Sequence, residues 1–349
     1  MVNKVLFVME QYCDADPVCG PTNSEHLLVD AIRSTGLVGE TKRFYFDQLS
    51  KSVGRGRMSL LLEECLDLFR PDVVLYTPLG GALGDALNPL PIRIREEAKM
   101  LLWLWDAKPN CGLETKWLPI ADYLGIVDSV KAYLYYRGYH NVILAYSAPS
   151  PKLFYDRSLP RDIDVSFLGS VDPTDQRWPM RAEYTNYLRE NGIDIRVGGG
   201  QRVQRLSPQD YATIMSRSKI SLNFSRDGNG LPCLKSRVFE VTSCGALLMD
   251  DWGTDTEYFF EPGKDFIIYN SKEDLLRLVK YYLEHEEERA AIAKSGWVKA
   301  IYVHNAPNMW AGVFERMGFA PPRVLTESPY YQMHKKVLGR LSQRRETNV

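Results

Sequence analysis

RVFEVTSCGALLMDD, Arg237 to Asp251, opens with a charged pair and closes on two aspartates. Leu234, Val238 and Val241 recur at helical spacing and form an apolar stripe, while Arg237, Glu240 and Cys244 fall on a different face. Cys244-Gly245 breaks the helix, and ALLMDD reads as a buried strand. A helix that drops straight into an apolar strand is half of a β-α-β unit, so the stretch predicts an α/β sheet. Its charged face has two readings. One is an exposed ion pair of a few tenths of a kcal/mol. The other is a ligand grip, because a carboxylate can accept two hydrogen bonds from vicinal ribose hydroxyls while a neighbouring guanidinium meets phosphate. Spacing alone leaves both open.

The same rhythm extends in both directions. Towards the amino terminus, KVLFVME, TKRFYFDQ, DVVLYTP, MLLWLWDA, YLGIVDS and NVILAYS read as strands separated by helical stretches. A helix capped at Asn23 or Ser24 runs to Thr35 and stops at Gly36. The Pro-rich segment SAPSPKLFYDRSLPRD, residues 147–162, reads as a linker. After it come the strands DVSFLGS, IDIRVGGG, KISLNFS and ALLMDD, again alternating with helices. From Ser271 onward the chain is mostly helical and ends in the basic stretch HKKVLGRLSQRRETNV. The expected fold is α/β, with two Rossmann-like doubly wound domains facing a cleft and a helical C-terminus. The expected boundaries are 1–150, 151–320 and a basic helix or tail over 321–349.

Whole-chain properties agree with this and narrow the function classes. A length of 349 residues exceeds one ordinary core, which favours two domains. Apolar residues at 45% and charged residues at 25% are globular values. A net charge of -1 gives no global reason to expect nucleic acid. No apolar run reaches the roughly 18 residues of a spanning helix. The first residues, MVNKVLFVMEQY, read as a strand and not as a leader. The six cysteines show no C-x-x-C pair, which fits reduced thiols and a cytoplasmic location.

In open parallel sheets, ligands bind beyond the carboxyl ends of the strands. In the second half those ends carry Gly169-Ser170, Gly198-Gly199-Gly200 and the loop Ser225-Arg226-Asp227-Gly228-Asn229-Gly230. Glycines admit close backbone approach, and a free helix start attracts phosphate. Pro232 is expected in the first turn of the helix that bears Arg237, with Lys235 as a second phosphate candidate.

RVFEVTSCGALLMDDW followed by EYFFEPGKDFIIYNSKEDLLRLVKYYLEHEEERAAIA resembles the C-terminal domain of group-1 glycosyltransferases of the GT-B fold. The likeness is strongest to the spore-maturation-type (CgeB-like) branch and covers about residues 163–318. It implies that Glu240 grips the ribose of a nucleotide sugar, UDP- or GDP-linked, with Arg237 and Lys235 near the diphosphate. It also implies a basic residue after the domain's first strand, for which Arg177 is preferred over Arg181. Relatives carry a second glutamate eight positions before Glu240. Here that place is Pro232, so Asp227 and Asn229 are the candidates for sugar recognition, with Gly169, Gly199 and Ser225 lining the donor site.

The resemblance further implies transfer without a metal ion or other cofactor, and it leans towards retention of configuration. Asp162 and Asp164 form a D-x-D, but it precedes a strand and does not follow one. On the acceptor side, Asp106 and His26 are the candidate catalytic residues. The acceptor itself stays open among glycan, lipid-linked glycan, small molecule, protein and modified DNA. Two rival readings accompany this one: a sugar-nucleotide epimerase of the same fold, and a non-catalytic binding subunit that has lost its first glutamate.

Overall fold

The computed structural model describes residues 1–79, 88, 98–105, 107–108, 117–174, 178–199 and 206–343. It divides into two compact units, Met1–Tyr146 with Ala306–Val349, and Ser147–Asn305.

The first unit holds a six-stranded sheet. Its strands are β1 (Val2–Met9), β2 (Val38–Tyr45), β3 (Val73–Tyr76), β4 (Lys99–Leu104), β5 (Tyr123–Ile126) and β6 (Val142–Leu144). They lie in the order β2-β1-β3-β4-β5-β6, every pair parallel. Leu6, Val8, Val74, Leu102 and Leu124 from these strands pack with Met58, Leu62 and Phe69 of helix α3 (Arg55–Phe69). Continuous apolar strands are what a parallel sheet covered on both faces requires. The expected helix at Asn23–Thr35 forms as a π-helical turn, Glu25–Val29, that continues into α1 (Asp30–Ser34).

The second unit restarts the pattern with β7 (Ile163–Gly169), β8 (Ile195–Gly199), β9 (Ser218–Leu222), β10 (Leu247–Asp251) and β11 (Ile267–Tyr269). Their order is β11-β10-β9-β7-β8, again all parallel. Two parallel α/β sheets are therefore present, as the rhythm required. Within each sheet the strand order reverses between the first strand and the third, and such a reversal is where open α/β sheets leave a ligand crevice.

Two features depart from the expected organisation. The Pro-rich segment 147–162, expected as a linker, lies within the second unit. Arg157 donates to the Leu153 carbonyl at 2.7 Å, and Arg161 donates to the carbonyls of Ser218 and Cys244 at 2.8 and 3.1 Å. The helix Ala306–Arg316, assigned by its sequence position to the second domain, belongs to the first unit. Its Trp310 is fully buried and stacks on Trp103 of β4, with ring centroids 4.9 Å apart. Burial of two indoles outweighs chain proximity. The basic terminal stretch is helical over Pro329–Gln343, and Tyr331, His334 and Leu341 are buried along it.

Candidate functional site

The carboxyl ends of β7 and β9 flank the reversal in the second sheet, and Arg237 stands there. The helix that bears it, Ser236–Ser243, starts at Lys235 with no side-chain cap, so its first N–H groups are left for another acceptor. Arg237 Nε donates to the Leu168 carbonyl at 2.8 Å, and Nη1 donates to Asn223 Oδ1 at 2.9 Å. Leu168 is the next-to-last residue of β7 and Asn223 follows β9, so the guanidinium bridges the two strands of the reversal. Both acceptors are neutral. Gly169 makes the arrangement possible, because a Cβ there would lie 2.8 Å from Arg237 Nη2 and 2.8 Å from Phe167 Cζ.

Two more cations gather at the end of β7. The Arg237 guanidinium lies 5.0 Å from the Phe167 ring centre and that of Arg181 5.7 Å from it. Trp178 is approached by Arg181 at 4.2 Å and by Lys235 Nζ at 4.3 Å. Ring faces attract cations and so moderate the crowding of three positive groups, but they supply no net negative charge.

Glu240 sits beneath it, 2% exposed. The Tyr211 hydroxyl lies 3.2 Å from Glu240 Oε2 and 3.3 Å from the Leu168 carbonyl. Burial pushes the Glu240 carboxyl up to about 7, against the lowering influence of Arg237, Tyr211 and Ser236. Arg237 and Glu240 are therefore coupled through Leu168 and Tyr211, and they make no direct ion pair. The exposed-pair reading of the sequence does not survive. Cys244 leaves the shared face: it is buried as the residue that ends the helix, with Sγ 3.7 Å from the Ala212 carbonyl.

Arg237 also leads into a second network. Asn223 Nδ2 donates to Ser225 Oγ at 2.6 Å and to Asp250 Oδ1 at 3.2 Å. Ser225 Oγ donates to Asp250 Oδ2 at 2.9 Å, and the Ser225 amide donates to Asp251 Oδ1 at 2.7 Å. The ends of β9 and β10 are thereby fixed to each other.

Residues 158–311 match the family model described as glycosyl transferase-like. This stretch is glycosyltransferase-like. Among solved structures, the chain resembles HepE of Anabaena in complex with UDP and glucose, with 11% identity and a TM-score of 0.57, over 90% of this chain and 99% of that one. It also resembles sucrose-phosphate synthase of Thermosynechococcus elongatus, with 11% identity and a TM-score of 0.55, over 97% and 100% of the two chains. A glycosyltransferase of Rickettsia africae gives 10% identity and a TM-score of 0.53, over 98% and 100%. At these identities the likeness establishes the GT-B-type fold of two parallel-sheet domains. Among curated proteins nothing matches the chain significantly.

The glycosyltransferase-like stretch gathers most of the donor-site candidates and redefines several. Arg237, Glu240, Lys235 and Gly169 meet at the reversal. Gly199 ends β8 as the register partner of Gly169. Ser225 is buried with its hydroxyl committed to Asp250. Asp227 Oδ1 accepts from the amides of Asn229 and Leu231, both at 2.9 Å, which makes it a loop organiser. Asn229 is exposed in that loop. Pro232 lies outside the helix, pairing with Arg226 in an isolated antiparallel bridge that closes the turn between them. Asp162 and Asp164 are ion-paired with Arg217 and Lys219. Among the described residues no group of three His, Cys, Asp or Glu could hold a metal ion, and no helix is long and apolar enough to cross a membrane.

Arg177 and Asp106 lie outside the described residues; Arg181, the second basic candidate, is the one placed beside Trp178. His26 is half-buried on the π-helical turn of the first unit. Sequence reasoning missed Tyr211, Asn223 and Trp178. Each comes from an element other than the helix that carried the signal, so only the strand-end rule could have drawn attention to them.

The first sheet's reversal has a different character. Glu10, directly after β1, accepts from the Thr22 hydroxyl at 3.0 Å, while its Oε2 is buried without a partner among the described residues. Burial, then the charges of Asp47 and Asp14, push it up to about 7.

Proposed function

We propose that the protein is a glycosyltransferase of the spore-maturation-type (CgeB-like) branch that moves a sugar from a UDP- or GDP-sugar to an acceptor hydroxyl. The observation that carries this reading is the half-buried Arg237 guanidinium, held across the strand reversal by the Leu168 carbonyl and Asn223 Oδ1, with Arg181 and Lys235 beside it. A diphosphate is the dianionic group of a nucleotide sugar, and it fits a cluster of cations at an uncapped helix start. The HepE structure with UDP and glucose, of the same fold, supports the reading from outside this chain.

In this mechanism Arg237 and Lys235 hold the diphosphate, and Arg181 takes the place that the resemblance reserved for a basic residue after the first strand. Negative charge grows on the departing phosphate oxygen as the glycosidic bond breaks, and preorganised cations stabilise that charge without reorganising. No metal ion is needed in this scheme. Glu240, displaced from Tyr211 by the ligand, accepts hydrogen bonds from the ribose hydroxyls. Retention of configuration is part of the proposal, carried by the family resemblance.

The test is a thermal-shift screen of UDP-, GDP-, TDP- and CMP-sugars in EDTA, followed by incubation of the best ligand with glycan, lipid-linked and small-molecule acceptors. Stabilisation by one nucleotide class, with release of that nucleoside diphosphate when acceptor is present, is the expected result. No stabilisation by any of them contradicts the proposal.

A further inference from the structure

Beyond the donor cations, the carboxyl edge of the second sheet carries a second group of side chains. Trp252 follows β10 and is 51% exposed, unusual for the largest apolar side chain on a strand end. The Arg226 guanidinium covers one part of it, its carbon 4.0 Å from the ring centre, and also donates to the Trp252 carbonyl. Beside them Asp251 is 2% exposed. Its Oδ1 accepts from the Ser225 amide, but Oδ2 is buried with no hydrogen-bond partner among the described residues. Arg226 Nε is likewise buried without a hydrogen-bond partner among the described residues, and it forms a 3.8 Å ion pair with Asp251 Oδ2, too long for a hydrogen bond.

A long ion pair that leaves a buried carboxyl oxygen and a buried guanidinium N–H without a hydrogen bond costs stability, and a ligand hydroxyl placed between them would satisfy both. The network through Asn223, Ser225 and Asp250 ties this edge to Arg237, so the group stands in register with the cation site. An indole face with a hydrogen-bond acceptor and donor beside it matches a pyranose: axial C–H groups pack on the ring, and hydroxyls meet the carboxyl and guanidinium.

We propose that Trp252, Asp251 and Arg226 form the subsite for the sugar ring of the donor, supplying the recognition that the proline at position 232 cannot. Burial, reinforced by the neighbouring Asp250, holds the Asp251 carboxyl above the usual carboxylate range, so it can donate as well as accept.

This subsite rests on the nucleotide-sugar reading, and the two fail in different ways. Calorimetry compares wild type, Trp252→Ala and Asp251→Asn against UDP, UDP-glucose, GDP and GDP-mannose. The expected result is that Trp252→Ala weakens the bound nucleotide sugar about ten-fold while the matching nucleoside diphosphate binds within about two-fold of wild type. Asp251→Asn should show the same selective loss, and Trp252→Phe should restore part of it. Equal losses for sugar-linked and free nucleotide would place Trp252 at the nucleotide, and no loss for either would place it at neither. Each of those outcomes overturns the subsite while leaving the donor reading standing. Failure of wild type to bind any of the four ligands overturns both.

Discussion

The two sheets share one strand order and carry opposite chemistry at its reversal. In the first unit the gap between β1 and β3 is edged by Glu10, Thr22 and Asp47, with Glu10 forced up to about 7 by burial. In the second, the gap between β7 and β9 is edged by Arg237, Arg181 and Lys235, with the Glu240 carboxyl buried below them. Topology therefore sets where a ligand crevice forms, and the side chains at the strand ends set which charge it accepts. An acidic reversal repels a diphosphate and a cationic one attracts it. Under the proposed function, this contrast is the reason for placing the nucleotide in the second unit.

The largest effect should come from Arg237→Ala. It removes a diphosphate contact and leaves the Leu168 carbonyl and Asn223 Oδ1 without their donor, so nucleotide affinity should fall more than about 100-fold and stability by about 2 kcal/mol. Arg237→Lys should recover little of either, since an ammonium cannot span both acceptors. Calorimetry and urea unfolding give the two numbers, and near-normal binding by Arg237→Ala would remove the contrast between the reversals.

Gly169→Ala should act next. Its Cβ would meet Arg237 Nη2 and Phe167 at 2.8 Å, so the guanidinium must move, and about a ten-fold loss of nucleotide affinity is expected with little change in folding. Unchanged affinity would show that the position of Arg237 is not critical.

Glu240→Gln tests the buried carboxylate through pH. A carboxyl raised to about 7 in the folded state binds a proton there that the unfolded chain, near 4.5, has already released. Its ionisation therefore costs stability progressively as pH rises from about 4.5 to 7, and the penalty is constant above that. The variant should gain on wild type across that window, by about 3 kcal/mol at pH 8. A gap independent of pH would mean that Glu240 is not desolvated. The smallest effect on ligand is expected from Glu10→Gln, which should leave nucleotide affinity within about two-fold of wild type while its stability gain follows the same pH direction. A large loss of nucleotide binding there would overturn the assignment of the nucleotide to the second unit.

Much of this was legible in the sequence, for local reasons. Period-3.6 and apolar runs are properties of contiguous residues, so both sheets and the helix of Arg237 and Glu240 could be read directly. Strand ends could be read too, which is why Gly169 and Ser225 were found. Four things could not. Cys244 shared a face with Glu240 by angle, but it stands where the helix ends and is buried against the Ala212 carbonyl. Pro232 looked like a first-turn residue, yet Asp227 and the bridge to Arg226 close residues 226–232 into a turn, so the helix starts later. The helix Ala306–Arg316 belongs to the first unit because Trp310 and Trp103 meet across some two hundred residues of chain, a contact that local patterning does not encode. The site's neutral acceptors, Leu168 and Asn223, were invisible for the same reason.

The central claim is that Glu240 serves the donor nucleotide from the reversal of the second sheet. Calorimetric titration of Glu240→Ala with the nucleotide sugar that best stabilises wild type tests it most directly. The account expects binding to be abolished while the thermal transition stays cooperative and no lower than that of wild type above pH 7. Full binding by the folded variant would contradict it.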